Sequence, residues 1–165
     1  MNNKLINHLK KLLIKNNYLD LNTFLDVILY DKQFGFYNSI NFKKNELIGK
    51  KGHFITAPEI SQLFGELVGI WILQLCRENH FHDINLLELG PGKGTLMNDI
   101  LRIFSQQKEN IKIKIHLLEF SKVLKSYQKE NLKQYGHELK WYNNIFKIKD
   151  QLNDNPTIII SNEFF

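Results

Sequence analysis

Apolar residues recur at helical spacing through the first thirty positions, and strand spacing begins only after residue 82. Leu5, Leu9, Leu12 and Leu13 share one face of a first helix. Phe24, Leu25, Ile28 and Leu29 share one face of a second, with Asn22 or Thr23 in "LNTFLDVILYD" placed as its N-cap. The stretch "KQFGFYNSINFKKNELIGKKGHFITAPEI" carries Gly and Asn punctuation and no helical period, which predicts an extended loop region. A helix resumes after it. Pro58 suits a first turn, and Leu63, Leu67, Ile70, Trp71 and Gln74 continue one face through Cys76.

Strand and helix patterns then alternate. "INLLEL" is a continuous apolar run with one acid, and "GTLMNDILRIFSQQ" has helical spacing at Leu96, Ile100, Leu101 and Phe104. "IKIKIHLLEF" alternates as a strand, "SKVLKSYQKENLKQY" is helical, "ELKWYNN" predicts a short strand, and "TIIISNEFF" reads as a buried strand after Pro156. Alternation of this kind predicts parallel βαβ units, hence an α/β fold with a doubly wound sheet covered by helices. The expected organisation is a helical and loop segment over 1–80, followed by a Rossmann-like domain over 81–165.

Composition narrows the function classes. The 165 residues are 43% hydrophobic, which excludes a disordered chain. No run approaches the length of a membrane span, and "MNNKLINHLKKLL" lacks the pattern of a secretory signal, so the expected location is cytoplasmic. The net charge of +5 raises the question of nucleic acid, but the lysines are scattered and Arg occurs only at Arg77 and Arg102, whereas base readout leans on Arg. No nucleic-acid partner is expected. The abundance of Lys, Asn and Ile fits a bacterial, AT-rich genome. The single cysteine, Cys76, excludes an internal disulfide, and the histidines show no ligand spacing beyond "HFHD" at 80–83, read as a solvated loop, so no metal is expected.

The chemistry concentrates in "LLELGPGKGTL". A Gly-rich turn between strand and helix lets backbone and ligand approach closely, and the helix that follows offers free N–H groups. Gly90, Gly92 and Gly94 occupy that turn. A phosphate-cradling P-loop fails on spacing, because Lys93 is followed by Gly94 and not by Ser or Thr. A nicotinamide dinucleotide site wants G-x-G-x-x-G, and here Thr95 stands at the third glycine, which weakens that reading without removing it. The remaining reading is an S-adenosyl-L-methionine site, with Glu88 just ahead of the turn near the amino-acid end of the cofactor. Glu119, ending the second strand, would then take both ribose hydroxyls, since a carboxylate only accepts. Burying Glu88 in so apolar a strand requires a partner or a function.

Beyond the turn, "GHFITAPEISQLFGELVGIW" (52–71), "LLELGPGKGTLMNDILR" (86–102), "SNEFF" (161–165) and the preceding "LYDKQFGFY" (29–37) resemble the MidA family of class I S-adenosyl-L-methionine-dependent methyltransferases. That family includes a mitochondrial complex I assembly factor that methylates a protein arginine. The resemblance implies a class I sheet, truncated here after its fourth parallel strand, and methylation of a protein arginine linked to respiratory complex I. It gives Glu88, Gly90, Gly92, Gly94 and Glu119 to the cofactor. It assigns Thr56, Pro58 and Glu59, with Ser61 and Gln62, to a segment folded over the pocket. Asn162 and Glu163 fall where class I enzymes place groups facing the methyl acceptor, which makes them the candidate catalytic residues. The family's Asp in G-D-F is His53 here. The family pattern continues past "NEFF", so the alternatives are an inactive fragment or one half of a split methyltransferase that associates with a C-terminal half; a NAD-dependent oxidoreductase ranks below both.

Overall fold

The computed structural model describes residues 3–37, 55–107, 111–152 and 154–164. His53 and most of the expected loop region lie outside the described residues. Helix α1 (Asn3–Asn16) and helix α2 (Leu21–Tyr30) form a preface. The cap of α2 is Asp20, upstream of the expected Asn22 or Thr23: its carboxylate accepts from the Thr23 amide at 2.9 Å and the Thr23 hydroxyl at 2.6 Å. A carboxylate with two acceptor oxygens satisfies the first turn and suits the positive end of the helix dipole.

The helix expected after "TAPE" is two helices. A single turn, α3 (Ala57–Ile60), stops at Ser61, whose extended backbone (φ −145°) starts α4 (Gln62–Glu78) with its side chain accepting from the Leu63 amide. The buried face of α4 also differs from the expected one. Leu63, Leu67, Ile70 and Trp71 are each more than half exposed, while Gly65, Gly69, Ile72, Leu73 and Cys76 face inward. The reason is close helix packing. A Cβ at Gly65 would stand 2.5 Å from the Cβ of Asp99, and one at Gly69 would stand 3.1 Å from the Cα of Ile100. The two glycines, four residues apart, let α4 seat directly on α5 (Thr95–Ser105).

Strands β1 (Asp83–Leu89), β2 (Lys112–Leu118), β3 (Leu139–Tyr142) and β4 (Thr157–Ser161) form one parallel sheet in the order β3-β2-β1-β4. Helix α6 (Lys122–Leu132) connects β2 to β3, and a short α7 (Phe146–Lys149) precedes β4. One core cluster joins Ile72, Leu73 and Cys76 of α4 to Ile84 and Leu86 of β1, the inner face of α5, and Ile113, Ile115 and Leu117 of β2. A continuous core of that kind crosses residue 80. Inside the sheet, the buried His116 ring meets the Tyr142 hydroxyl at 2.8 Å on one side and the Asn85 amide oxygen at 3.3 Å on the other.

The strand expected to be buried, β4, is only half so. Ile158 and Ile160 pack against the core, but Ile159 is 60% exposed. Among the described residues β4 pairs with β1 alone, so it alternates like an edge strand.

Candidate functional site

The strand order reverses direction of growth between β1 and β4, and in open parallel sheets the crevice at such a point, outside the carboxyl ends of the strands, is where ligands bind. A cavity of about 370 Å³ lies there. Its floor is the turn after β1, with Gly90, Pro91, Gly92 and Lys93; its walls are Glu119 and Phe120 after β2 and Asn162, Glu163 and Phe164 after β4. Thr56, Pro58 and Glu59 border it from the pre-sheet segment, and Glu88 reaches it from β1.

The glycines of the turn all take left-handed backbone conformations, with φ of 66° at Gly90, 54° at Gly92 and 81° at Gly94. Other residues enter that region at a cost. Gly90 also needs its missing Cβ for space, because that atom would lie 2.4 Å from the Phe164 ring. Gly94 has a different place from its neighbours. It caps α5 and packs on Gln128, outside the cavity lining.

Glu88 is 3% exposed, and its Oε2 has no hydrogen-bond partner among the described residues. Burial, reinforced by the charge of Glu119, pushes its carboxyl up to about 8. Glu119 is also buried, which raises its pKa, but the bonds it accepts oppose that rise. Its Oε1 accepts from the Ser121 amide at 2.8 Å and its Oε2 from the Gln128 amide at 3.1 Å. Glu59 is held to the turn: the Thr95 hydroxyl donates to it at 2.5 Å and the Lys93 ammonium stands 3.7 Å away. Ser61 and Gln62 stay outside the lining. Ser61 caps α4, and Gln62 donates to Glu66 at 2.6 Å.

Sequence reasoning missed several residues at this cavity. Tyr30 and Tyr37 stack at 5.6 Å between centroids, Tyr30 lies 5.3 Å from the Phe120 ring, and the Ser121 hydroxyl donates to the Tyr37 carbonyl at 2.7 Å. "LYDKQFGFY" reaches the site by a tight turn in which the Asp31 carboxylate accepts from the Gln33 and Phe34 amides. The aromatic content of that stretch was a visible signal. Gln128, behind the cavity lining, carried another: it falls on the same helical face as Leu124 and Leu132, a polar residue in an apolar stripe.

These features fit S-adenosyl-L-methionine: a cradle without side chains, a buried carboxyl with an oxygen left for an ammonium donor, and an anchored carboxylate for hydroxyls. The profile of a family of S-adenosyl-L-methionine-dependent methyltransferases matches residues 67–165. The chain belongs to that family. This places it in a methyltransferase family of the MidA type, named for use of S-adenosyl-L-methionine, and ranks the nicotinamide alternative lower. Mitochondrial protein arginine methyltransferase NDUFAF7 of Danio rerio is 37% identical over 148 residues, covering 87% of this chain and 33% of that protein. The Caenorhabditis elegans homologue is 31% identical over 181 residues, covering 96% of this chain and 41% of its own length. The chain thus spans a third to two fifths of these relatives. A COG1565 superfamily member from Burkholderia thailandensis, solved bound to S-adenosyl-homocysteine, shares the fold with a TM-score of 0.66 at 17% identity, over 86% of this chain and 37% of that one. The methyltransferase sheet expected from the sequence is therefore the one observed, through its first four strands. No helix among the described residues is long and apolar enough to cross a membrane.

Proposed function

We propose that this methyltransferase-family chain holds S-adenosyl-L-methionine in the cavity at the β1–β4 switch point and serves the methylation of a protein arginine. The resemblance links that activity to the assembly of respiratory complex I, here in a bacterial cytoplasm. The observation that carries the reading is Oε2 of Glu88, without a partner among the described residues, beside the glycine turn. A buried carboxyl oxygen without a donor is costly, and an incoming ammonium removes the cost. Gly90 and Gly92 would let the ligand lie against backbone, and Glu119 would accept from the ribose hydroxyls. Gly94 would support the turn from outside the cavity. Residues 1–80 would act as the cover, contributing Thr56, Pro58 and Glu59, and 81–165 as the partial cofactor domain.

Bound there, S-adenosyl-L-methionine supplies an electrophilic methyl group on a sulfonium sulfur. Asn162 and Glu163 would then be the groups facing the acceptor. Glu163 lines the cavity and, although not glycine, sits at φ 53°, a strained conformation of the kind found at functional sites. Its carboxylate would pair with a guanidinium and aim a nitrogen lone pair along the S–CH3 line, so that positioning supplies most of the effect.

A specific observation supports a second reading, in which the chain acts only with a further segment. The edge of β4 and the exposed Ile159 offer a template for another strand, and the relatives are more than twice as long. Calorimetric titration with S-adenosyl-homocysteine and with NAD tests both. Micromolar binding of the first, with NAD weaker, supports the cofactor site. Tighter NAD binding overturns it. A folded chain that binds neither favours the second reading.

A further inference from the structure

Gln128 is fully buried on α6, yet its amide makes three polar contacts. Its Nε2 donates to the Gly92 carbonyl at 2.7 Å and to Glu119 Oε2 at 3.1 Å, and its Oε1 accepts from the Trp141 indole at 2.8 Å. We propose that Gln128 is the positioning residue of the cofactor site, clamping the glycine turn and Glu119 in one fixed relation so that the carboxylate presents its remaining lone pairs to the ligand's ribose. The inference rests on the cofactor reading given above.

Three arguments support it. The indole N–H can only donate, so the amide oxygen must face Trp141 and the amide NH2 must face the two acceptors; rotation by half a turn would set donor against donor. Trp141, in β3, therefore fixes which way Gln128 points. Next, Glu119 is anchored on both oxygens, by Gln128 and by the Ser121 amide, and each oxygen keeps a further acceptor site. Last, the turn packs closely on the clamp, since a Cβ on Gly94 would meet the Gln128 side chain at 3.3 Å. An amide suits the position better than Lys or Arg would, because it orients Glu119 without neutralising the charge that attracts hydroxyl donors.

The test compares wild type with Gln128→Met, which preserves length and removes both donors, and with Trp141→Phe, which removes only the group that orients the amide. Calorimetry measures S-adenosyl-homocysteine against its 2′-deoxy analogue, and carboxyl-carbon NMR follows the titration of Glu119 in the ligand-free protein. Circular dichroism confirms folding. Wild type should prefer the ribose ligand roughly tenfold or more. In Gln128→Met the preference should fall to within about twofold and the Glu119 midpoint should move upward, because the lost bond favoured the charged form. Trp141→Phe should shift both in the same direction by less. A folded Gln128→Met that keeps the wild-type preference and the wild-type Glu119 midpoint overturns the proposal, and loss of stability alone would move neither. If wild type binds neither ligand while the Glu119 midpoint still moves in Gln128→Met, the clamp on Glu119 stands and the reading that this chain holds the cofactor by itself falls, leaving the second reading above.

Discussion

Glu88, near the end of β1, and Glu119, just past the end of β2, face one cavity but differ in the donors they meet. Burial raises the Glu119 carboxyl, and the two hydrogen bonds it accepts oppose that rise. Glu88 has an oxygen with no donor among the described residues, and burial together with the Glu119 charge pushes it up to about 8. Two carboxyls in similar burial are thus divided by their donors, which favour the charged form at Glu119 and are missing, among the described residues, at Glu88 Oε2.

The division sets the pH dependence of stability. An unfolded Glu88 loses its proton near the ordinary 4.5, but a folded one keeps it to about 8. The folded state binds more protons across that window, so stability falls as pH rises from 4.5 to 8. Glu88→Gln, which needs no proton, should stabilise the protein at pH 8 by on the order of 4 kcal/mol and have little effect at pH 4. Urea unfolding at the two pH values measures this, and an equal effect at both would contradict it.

A ligand ammonium at Glu88 would make the charged carboxylate favourable, so binding should expel the proton. Titration of S-adenosyl-L-methionine at pH 7 in buffers of differing ionisation heat should show close to one proton released. Glu88→Gln should abolish that release. Heats that do not vary with buffer in wild type would separate Glu88 from the ligand's amino group.

Much of this arrangement was legible in the sequence because it depends on local rules. Alternation of strand and helix and a glycine turn behind an acid are patterns over a few residues, and they led to the sheet, to Glu88 and to Glu119. The inward face of α4 was not legible. Hydrophobicity pointed to Leu63, Leu67, Ile70 and Trp71, whereas the helix buries the side that carries Gly65 and Gly69, because close approach to α5 outweighs the apolar stripe. Gln128 escaped for a related reason: its partners are Gly92, Glu119 and Trp141, distant in sequence and joined only when β1, β2 and β3 align.

The packing of α4 is itself testable. Gly65→Ala places a Cβ 2.5 Å from the Asp99 Cβ, a contact that no side-chain rotation relieves. It should destabilise the protein by roughly 1–3 kcal/mol although alanine favours helix. Trp71→Gln, on the 62% exposed outer side, should change stability by about 0.5 kcal/mol or less. Thermal or urea unfolding of the two variants decides between the faces, and the reverse ranking would restore the leucine and tryptophan side as the buried one.

The sheet carries a titratable group of opposite sign in His116. Burial, helped by Lys140 and Lys114 and opposed by Glu138, holds its pKa below 6.5. The unfolded chain therefore takes up a proton first as pH falls, and stability should decline below about 6.5. His116→Gln should lose less stability than wild type between pH 7 and pH 5, even though it is less stable at pH 7 through the altered bonds to Tyr142 and Asn85. Unfolding free energies at the two pH values give the difference directly, and parallel losses in both proteins would assign the acid sensitivity elsewhere, with the partly buried His137 the next group to replace.

The glycine turn and Glu119 should fail in different ways. Gly92→Leu forces a branched side chain into φ 54° and into the cavity itself, so it should abolish binding of S-adenosyl-homocysteine and also lower stability by about 1–2 kcal/mol. Glu119→Ala leaves the turn open and removes the proposed acceptor for the ribose, so it should weaken binding by roughly 1.5–3 kcal/mol. Because the bond from Gln128 to Glu119 disappears at the same time, part of that loss belongs to the freed amide. Repeating the titration with the 2′-deoxy ligand isolates the ribose share: Glu119→Ala should bind both ligands nearly alike, whereas undiminished preference for the ribose hydroxyl would assign its recognition to another wall of the cavity.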